Sequence, residues 1–205
     1  MAEFKPWAAR FVLAVLIVAF LTPRDSRTAE RYLAGQLLVA TPDMRDPRFI
    51  ETVIYMVKHS ADGAMGIVIN RPIAKSSIED LLKGIGVDSK GKGAKGDVDI
   101  HYGGPVSPEA GFILHSDDVL LQSSTRVKDG IALTTDTKLI EAISRGKGPR
   151  QLLLAVGYAG WAPGQLEDEL KANAWFVVSG DKAFIFGKDA DKKWRQAMDK
   201  RQIPL

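Results

Sequence analysis

A chain of 205 residues with 45% hydrophobic and 26% charged side chains is long enough for one well-cored domain, and its composition excludes wholesale disorder. The 28 basic and 25 acidic residues leave a net charge of +3, too small and too dispersed to imply a nucleic-acid partner. With no cysteine, disulfides, thiol nucleophiles and thiolate metal sites are excluded, while the compartment stays open.

At the amino terminus, residues 11–21 are apolar and uncharged and follow Lys5 and Arg10, the layout of a signal sequence. The run is short of the roughly 20 residues a spanning helix needs, and Pro23 stops it. Arg27-Thr28-Ala29 places an arginine where cleavage requires a small side chain, so an uncleaved anchor or signal-like insertion is expected. Arg24, Arg27 and Arg31 balance the basic residues on the other side, which leaves the topology open. The expectation is membrane association through residues 8–21, with 1–32 forming the apolar segment and charged linker and 33–205 the domain.

Residues 35–41 read as a strand, followed by a turn-rich loop with Pro42 and Pro47. Residues 52–58 form a β-branched strand, and His59 to Gly63 turn it back into a hairpin partner over 64–70 that ends at Arg71-Pro72. Ser76 or Ser77 can cap a helix over 78–84 that faces Ile78, Leu81 and Leu82 inward. Residues 84–96 are a lysine- and glycine-rich surface loop. Residues 98–102 alternate as a half-buried strand and run into the corner Gly103-Gly104-Pro105-Val106; 111–115 is another strand. Val119 to Leu121 and Ile131 to Leu133 flank a polar stretch with a turn at 128–130. Thr135 or Asp136 caps a helix over 138–144 that stops at Arg145-Gly146.

The organising stretch is 151–175. Residues 151–156 are an apolar run buried on both faces, and Gly157-Tyr158-Ala159-Gly160-Trp161 follows as a tight strand-to-helix crossing. Leu166, Leu170 and Ala174 then form one apolar helical stripe, with Pro163 near the first turn and Asn173 able to end the helix left-handed. A strand over 175–178, a turn at 179–181, a strand over 183–186 and a helix over 192–200 complete the chain. Strands outnumber helices and short turns join many of them, which predicts an antiparallel-rich α+β domain.

Several patterns suggest chemistry without supporting it. Residues 86–93 approach a phosphate-binding loop, but Gly93 stands where a magnesium-ligating hydroxyl belongs and no buried strand precedes it. Ser144/Lys147 and Ser179/Lys182 match S-x-x-K, at a helix end and in a turn respectively; serine and lysine are common enough here for a chance match. His115-Ser116-Asp117 is no triad, because adjacent strand residues point to opposite faces. The histidines at 59, 101 and 115 have no helical ligand spacing, so neither metal nor cofactor is expected. Glu167, Asp168 and Glu169 in the first turns of the helix after Gly164 repel phosphate, leaving a neutral or cationic ligand as the one suited to that turn. The C-terminal helix is basic through Lys188, Lys192, Lys193, Arg195, Lys200 and Arg201. Trp194 is read as its core anchor rather than a base-stacking platform.

From Gly35 to the C-terminal helix, the chain resembles the YqgE/AlgH family. The resemblance is carried by Gly35-Gln36-Leu37-Leu38-Val39-Ala40-Thr41-Pro42-Asp43-Met44-Arg45-Asp46-Pro47-Arg48-Phe49 and by Gly63 through Asn70-Arg71-Pro72. It continues in Gly103-Gly104-Pro105-Val106, residues 111–116, 133–135 and 146–149, the stretch from Gly157 to Glu167, and Asn173-Ala174-Trp175. The resemblance implies a single α+β domain whose bifurcated antiparallel sheet curls into a pseudo-barrel with helices packed outside. It also implies a bacterial, cytosolic protein without a settled activity, one branch being linked to regulation of alginate production. This chain carries Glu109-Ala110 where the family usually has an Asp-Arg pair, and its apolar amino terminus is not a family feature.

The expected function is a non-catalytic regulatory or scaffold domain that binds a protein partner or small ligand. Its groove is expected to be formed by Asn70, Arg71, Pro72, Gly103, Gly104, Pro105, His115, Tyr158, Trp161 and Gln165, where polar and glycine-rich strand ends converge. Arg71 would supply charge, Trp161 a flat apolar wall and Gln165 an orienting amide. The alternatives are a hydrolase using His115 with Glu167 or Glu169 as acid and base, and a transcription-linked DNA-binding regulator.

Overall fold

The computed structural model describes residues 32–87 and 96–201. In chain order the elements are β1 (Gln36–Ala40), β2 (Val53–Ser60), β3 (Gly63–Val68), β4 (Pro72–Ser77), α1 (Ile78–Gly84), β5 (Asp97–Tyr102), β6 (Val106–Ser116), β7 (Thr125–Arg126) and β8 (Ile131–Thr134). They continue with α2 (Lys138–Ser144), β9 (Leu152–Trp161), α3 (Gln165–Lys171), β10 (Trp175–Ser179), α4 (Lys182–Phe186) and α5 (Ala190–Arg201). The sheet runs β10-β1-β2-β3-β9-β6-β8-β7, with β4 and β5 branching from β9. Every pairing is antiparallel except β5 on β9.

The bifurcation lies within β9. Its first half pairs with β5 (Ile100 opposite Leu154) and β6, and its last residues pair with β3 (Ala64 opposite Trp161). The expected tight crossing at 157–161 is therefore a continuation of the strand. Gly157, at φ +72°, resets the inside–outside alternation. Leu153 and Ala155 face one core, Tyr158 rather than Ala159 resumes that face, and Ala159 and Trp161 turn to another core.

Three cores follow from this. The central one gathers Leu37, Val39, Tyr55, Ile67, Leu114 and Leu153 from strands across the sheet, which requires the sheet to curl round them into a half-barrel. Ile185 of α4 and Ala197 of α5 close it. On the reverse face, Leu38, Ile54, Met56 and Trp175 pack under Leu166 of α3. The third core places Ile78 and Leu82 of α1 and Leu139 and Ile140 of α2 against Ile113 and Leu154. Alternate residues of β1 and β2 enter two cores, so these strands are buried on both faces, as their continuous apolar sequences require.

Local signals account for several boundaries. Ser77 caps α1, its Oγ accepting from Asp80 N at 3.0 Å. Asp136 Oδ1 accepts from Lys138 N at 2.9 Å at the start of α2, and Asn173 at φ +57° ends the turn after α3. Residues 183–186 are helical rather than extended, because Asp181 Oδ1 accepts from Phe184 N at 2.7 Å and fixes a helical turn. Residues 72–77, between the strand expected to end at Arg71-Pro72 and the helix expected to start after Ser76 or Ser77, form β4, an exposed edge strand. Residues 119–121 lie outside any strand. The apolar segment at 8–21 and most of the lysine-rich loop lie outside the described residues; among those described, no helix is long and apolar enough to cross a membrane.

Candidate functional site

The loop after β1, the corner before β6, the end of β9 and helix α3 enclose a groove of about 880 Å³. Pro105, Gly160, Trp161 and Gln165 line one side, and Met44 and Phe49 of the loop line the other. Its frame is a single carboxylate. Glu169 Oε2 accepts from Trp161 Nε1 at 2.9 Å and from Trp175 Nε1 at 2.7 Å. Its Oε1 accepts from Gln165 Nε2 at 2.9 Å, and Gln165 Oε1 in turn accepts from Ala162 N at 3.1 Å. The two indoles meet edge to face with centroids 6.2 Å apart, and Phe49 stacks edge-on against Trp175 at 5.5 Å.

The loop is pinned from behind. Arg71 donates to the carbonyls of Arg48 and, at 2.6 Å, of Ile50. Asn70 donates to Glu51 O and accepts from Val53 N, both at 2.9 Å. These bonds hold Glu51 in its left-handed conformation at φ +53°. Within the loop, Arg48 forks onto Asp46 with Nη2 to Oδ2 at 2.6 Å and holds that carboxyl below its ordinary range. Thr41 Oγ1 donates to Asn173 O at 2.8 Å, tying the loop to the residue that ends the turn after α3.

The structure divides the residues that the sequence assembled into one groove. Pro105, Trp161 and Gln165 line it, while Asn70 and Arg71 act behind it as a clamp on the loop. Gly103 and Gly104 pack backbone against backbone with Gly157 and Tyr158, where a Cβ on either would overlap main-chain atoms. Tyr158 packs edge-on against Phe112 at 5.7 Å, beside the central core. Pro72 borders a separate cavity of about 390 Å³, with His101, Arg150 and Phe186.

His115 belongs to no groove. It is fully buried, its Nδ1 lies 2.9 Å from Ser116 O, and it pairs in register with Leu152, nine residues before Trp161 on β9. At about 3.3 Å per residue that separation is on the order of 30 Å along the strand. The pairing of His115 with Glu167 or Glu169 is not formed. Glu167 Oε1 instead meets His59 Nε2 at 3.1 Å, and His59 Nδ1 accepts from Leu33 N at 3.1 Å. Sequence reasoning missed both carboxylate roles. Two tryptophans bracketing Glu169 were the only trace of the first, and the second depends on a contact across 108 residues.

Lys193 is the other unexpected group. It is 2% exposed, and its Nζ donates to Ile69 O at 3.1 Å and Ile185 O at 2.8 Å. Burial lowers its pKa from the ordinary lysine value to about 8. Burial, helped by the charge of Lys193, also lowers that of His101. Among the described residues no group of three or more histidine or carboxylate side chains could hold a metal ion.

A family model described as AlgH-like matches residues 37–205. A UPF0301 protein of Bradyrhizobium diazoefficiens is 43% identical over 175 residues, covering 82% of each chain. One from Methylococcus capsulatus is 42% identical over 172 residues, covering 84% of this chain and 93% of that one. The solution structure of the AlgH protein from Pseudomonas aeruginosa superposes with a TM-score of 0.71 at 36% identity, covering 85% of this chain and 91% of that one. A crystal structure from Corynebacterium diphtheriae shares the fold at 20% identity, with a TM-score of 0.65 and coverage of 84% and 88%.

Proposed function

This chain belongs to the AlgH-like family, and we propose that it is a non-catalytic regulatory or scaffold domain that recognises a small ligand or a protein segment in the groove between the 41–52 loop and α3. The observation that carries this reading is the groove itself. Its volume of about 880 Å³ lies in the range of small-molecule sites, roughly 300–1,000 Å³. The clamp from Asn70 and Arg71 supports a preformed wall, which lowers the ordering cost of binding. Recognition rather than turnover is favoured by the use made of Glu169, three of whose roughly four acceptor positions hold two indoles and an amide.

The test is a fragment screen on the full chain read by the indole N–H resonances. A groove ligand shifts those of Trp161 and Trp175, while that of Trp194, bonded to Ala40 O, serves as the reference. A broad library that leaves both groove indoles unmoved refutes the reading. Membrane association through residues 8–21 is a separate proposal, motivated by the apolar run after Lys5 and Arg10. Recovery of the full chain wholly in the soluble fraction after lysis refutes it.

A further inference from the structure

Resting on that groove reading, we propose that the ligand presents a primary organic ammonium group to Glu169, with a flat or aliphatic body lying against the aromatic wall that Phe49 and the tryptophan pair form together. Five charged side chains line the groove: Asp43, Arg45, Asp46, Arg48 and Glu169. Asp46 and Arg48 neutralise one another in their fork. Asp43 and Arg45 cancel in formal charge, which leaves the carboxylate of Glu169 as the net charge of the cavity. Its partners are the indole N–H groups of Trp161 and Trp175 and the amide of Gln165, all neutral. Among the described residues no lysine, arginine or histidine nitrogen lies within 4.0 Å of it.

Glu169 is half-buried and held by neutral donors, and among the described residues no cationic side chain pairs with it. A carboxylate has about four acceptor positions, and three are used here, so Oε1 retains room for one more N–H. That vacancy favours a primary ammonium over a quaternary one. A single carboxylate beside aromatic rings suits an organic cation better than a metal ion, because ring faces attract ammonium groups and enclose the attached carbon body. The indole N–H bonds fix the carboxylate before the ligand arrives, so little ordering cost remains at binding.

The experiment titrates the full chain with three probes of similar shape, phenethylammonium, 2-phenylethanol and 3-phenylpropionate, following the groove indole resonances at neutral pH. The ammonium is expected to bind at least about tenfold more tightly than the alcohol, the range of a hydrogen bond to a charged group, with the carboxylate weakest. Glu169→Gln should erase that preference. If Glu169→Gln does not fold, the wild-type ranking decides alone. An alcohol that binds as tightly as the ammonium, or a carboxylate that binds more tightly, overturns the ammonium proposal and leaves the groove reading standing. If none of the three probes moves the indoles, the ammonium proposal also fails, whereas the groove reading falls only when the broad library is equally silent.

Discussion

Glu169→Ala removes the acceptor shared by two tryptophans, and its cost follows from their burial. Trp161 and Trp175 are 7% and 3% exposed, so their indole N–H groups are not readily rewetted when the carboxylate goes. A buried donor left unsatisfied costs about 1–3 kcal/mol, and two such donors give about 2–6 kcal/mol. Two effects lower the figure: water can enter from the groove, and alanine raises helix propensity within α3 by a few tenths of a kcal/mol. The expected loss is about 2–4 kcal/mol, a large fraction of the roughly 5–15 kcal/mol that holds an ordinary domain. Glu169→Gln keeps an acceptor oxygen for the indoles but turns an amide donor towards that of Gln165, and should cost only about 1 kcal/mol. Urea unfolding followed by circular dichroism measures both, with an unchanged m-value confirming that the native state is intact. A loss below about 0.5 kcal/mol for Glu169→Ala would refute the role assigned to this carboxylate.

Lys193 makes stability depend on alkaline pH. Its folded pKa of about 8 lies below the ordinary value of 10.5, so between these limits the unfolded chain binds more protons and stability rises with pH. The gain is on the order of 3 kcal/mol and should be absent from the pH profile of Lys193→Met; a parallel pH profile for the two proteins would contradict it. Gly104→Ala forces a Cβ onto the backbone of Tyr158 at φ +149° and is expected to lose more than about 3 kcal/mol or fail to fold, read by thermal unfolding. Arg71→Ala should leave global stability within about 1 kcal/mol while raising amide exchange at Phe49 and Thr52, because the bonds lost hold only the loop carbonyls. Unchanged exchange there would remove the clamp from the account.

Much of the fold was legible because local rules agreed with the tertiary result. The bounds of α2, the Ser77 cap and the left-handed Asn173 all follow from short-range chemistry. Where the reading failed, a non-local contact had decided the outcome. Pro72–Ser77 shows no alternating apolar pattern, since β4 is an exposed edge held only by its pairing with β5. The glycines at 157 and 160 resemble a turn, yet β9 runs on through both: Gly160 pairs with Met65 of β3, and Gly157 at φ +72° switches the facing side without ending the strand. Residues 183–186 are uniformly apolar, and neither period could separate strand from helix there. The site was half legible for a related reason. Trp161 and Gln165 lie beside the helix start and share its location, but Arg71 serves the loop and His115, on β6, pairs with the opposite end of β9.

The parity switch at Gly157 limits how this architecture can change length. A strand shared by two arms, with opposite residues facing inward on either side of one left-handed glycine, has no spare position: one extra residue would invert one arm against the other. Insertions at the 156–157 junction should abolish folding, whereas the same residue added at the exposed Ala61–Asp62 turn should be carried without loss of cooperative unfolding. Growth and divergence in such a domain are thereby confined to its connections, and β9 is fixed in length by geometry rather than by chemistry.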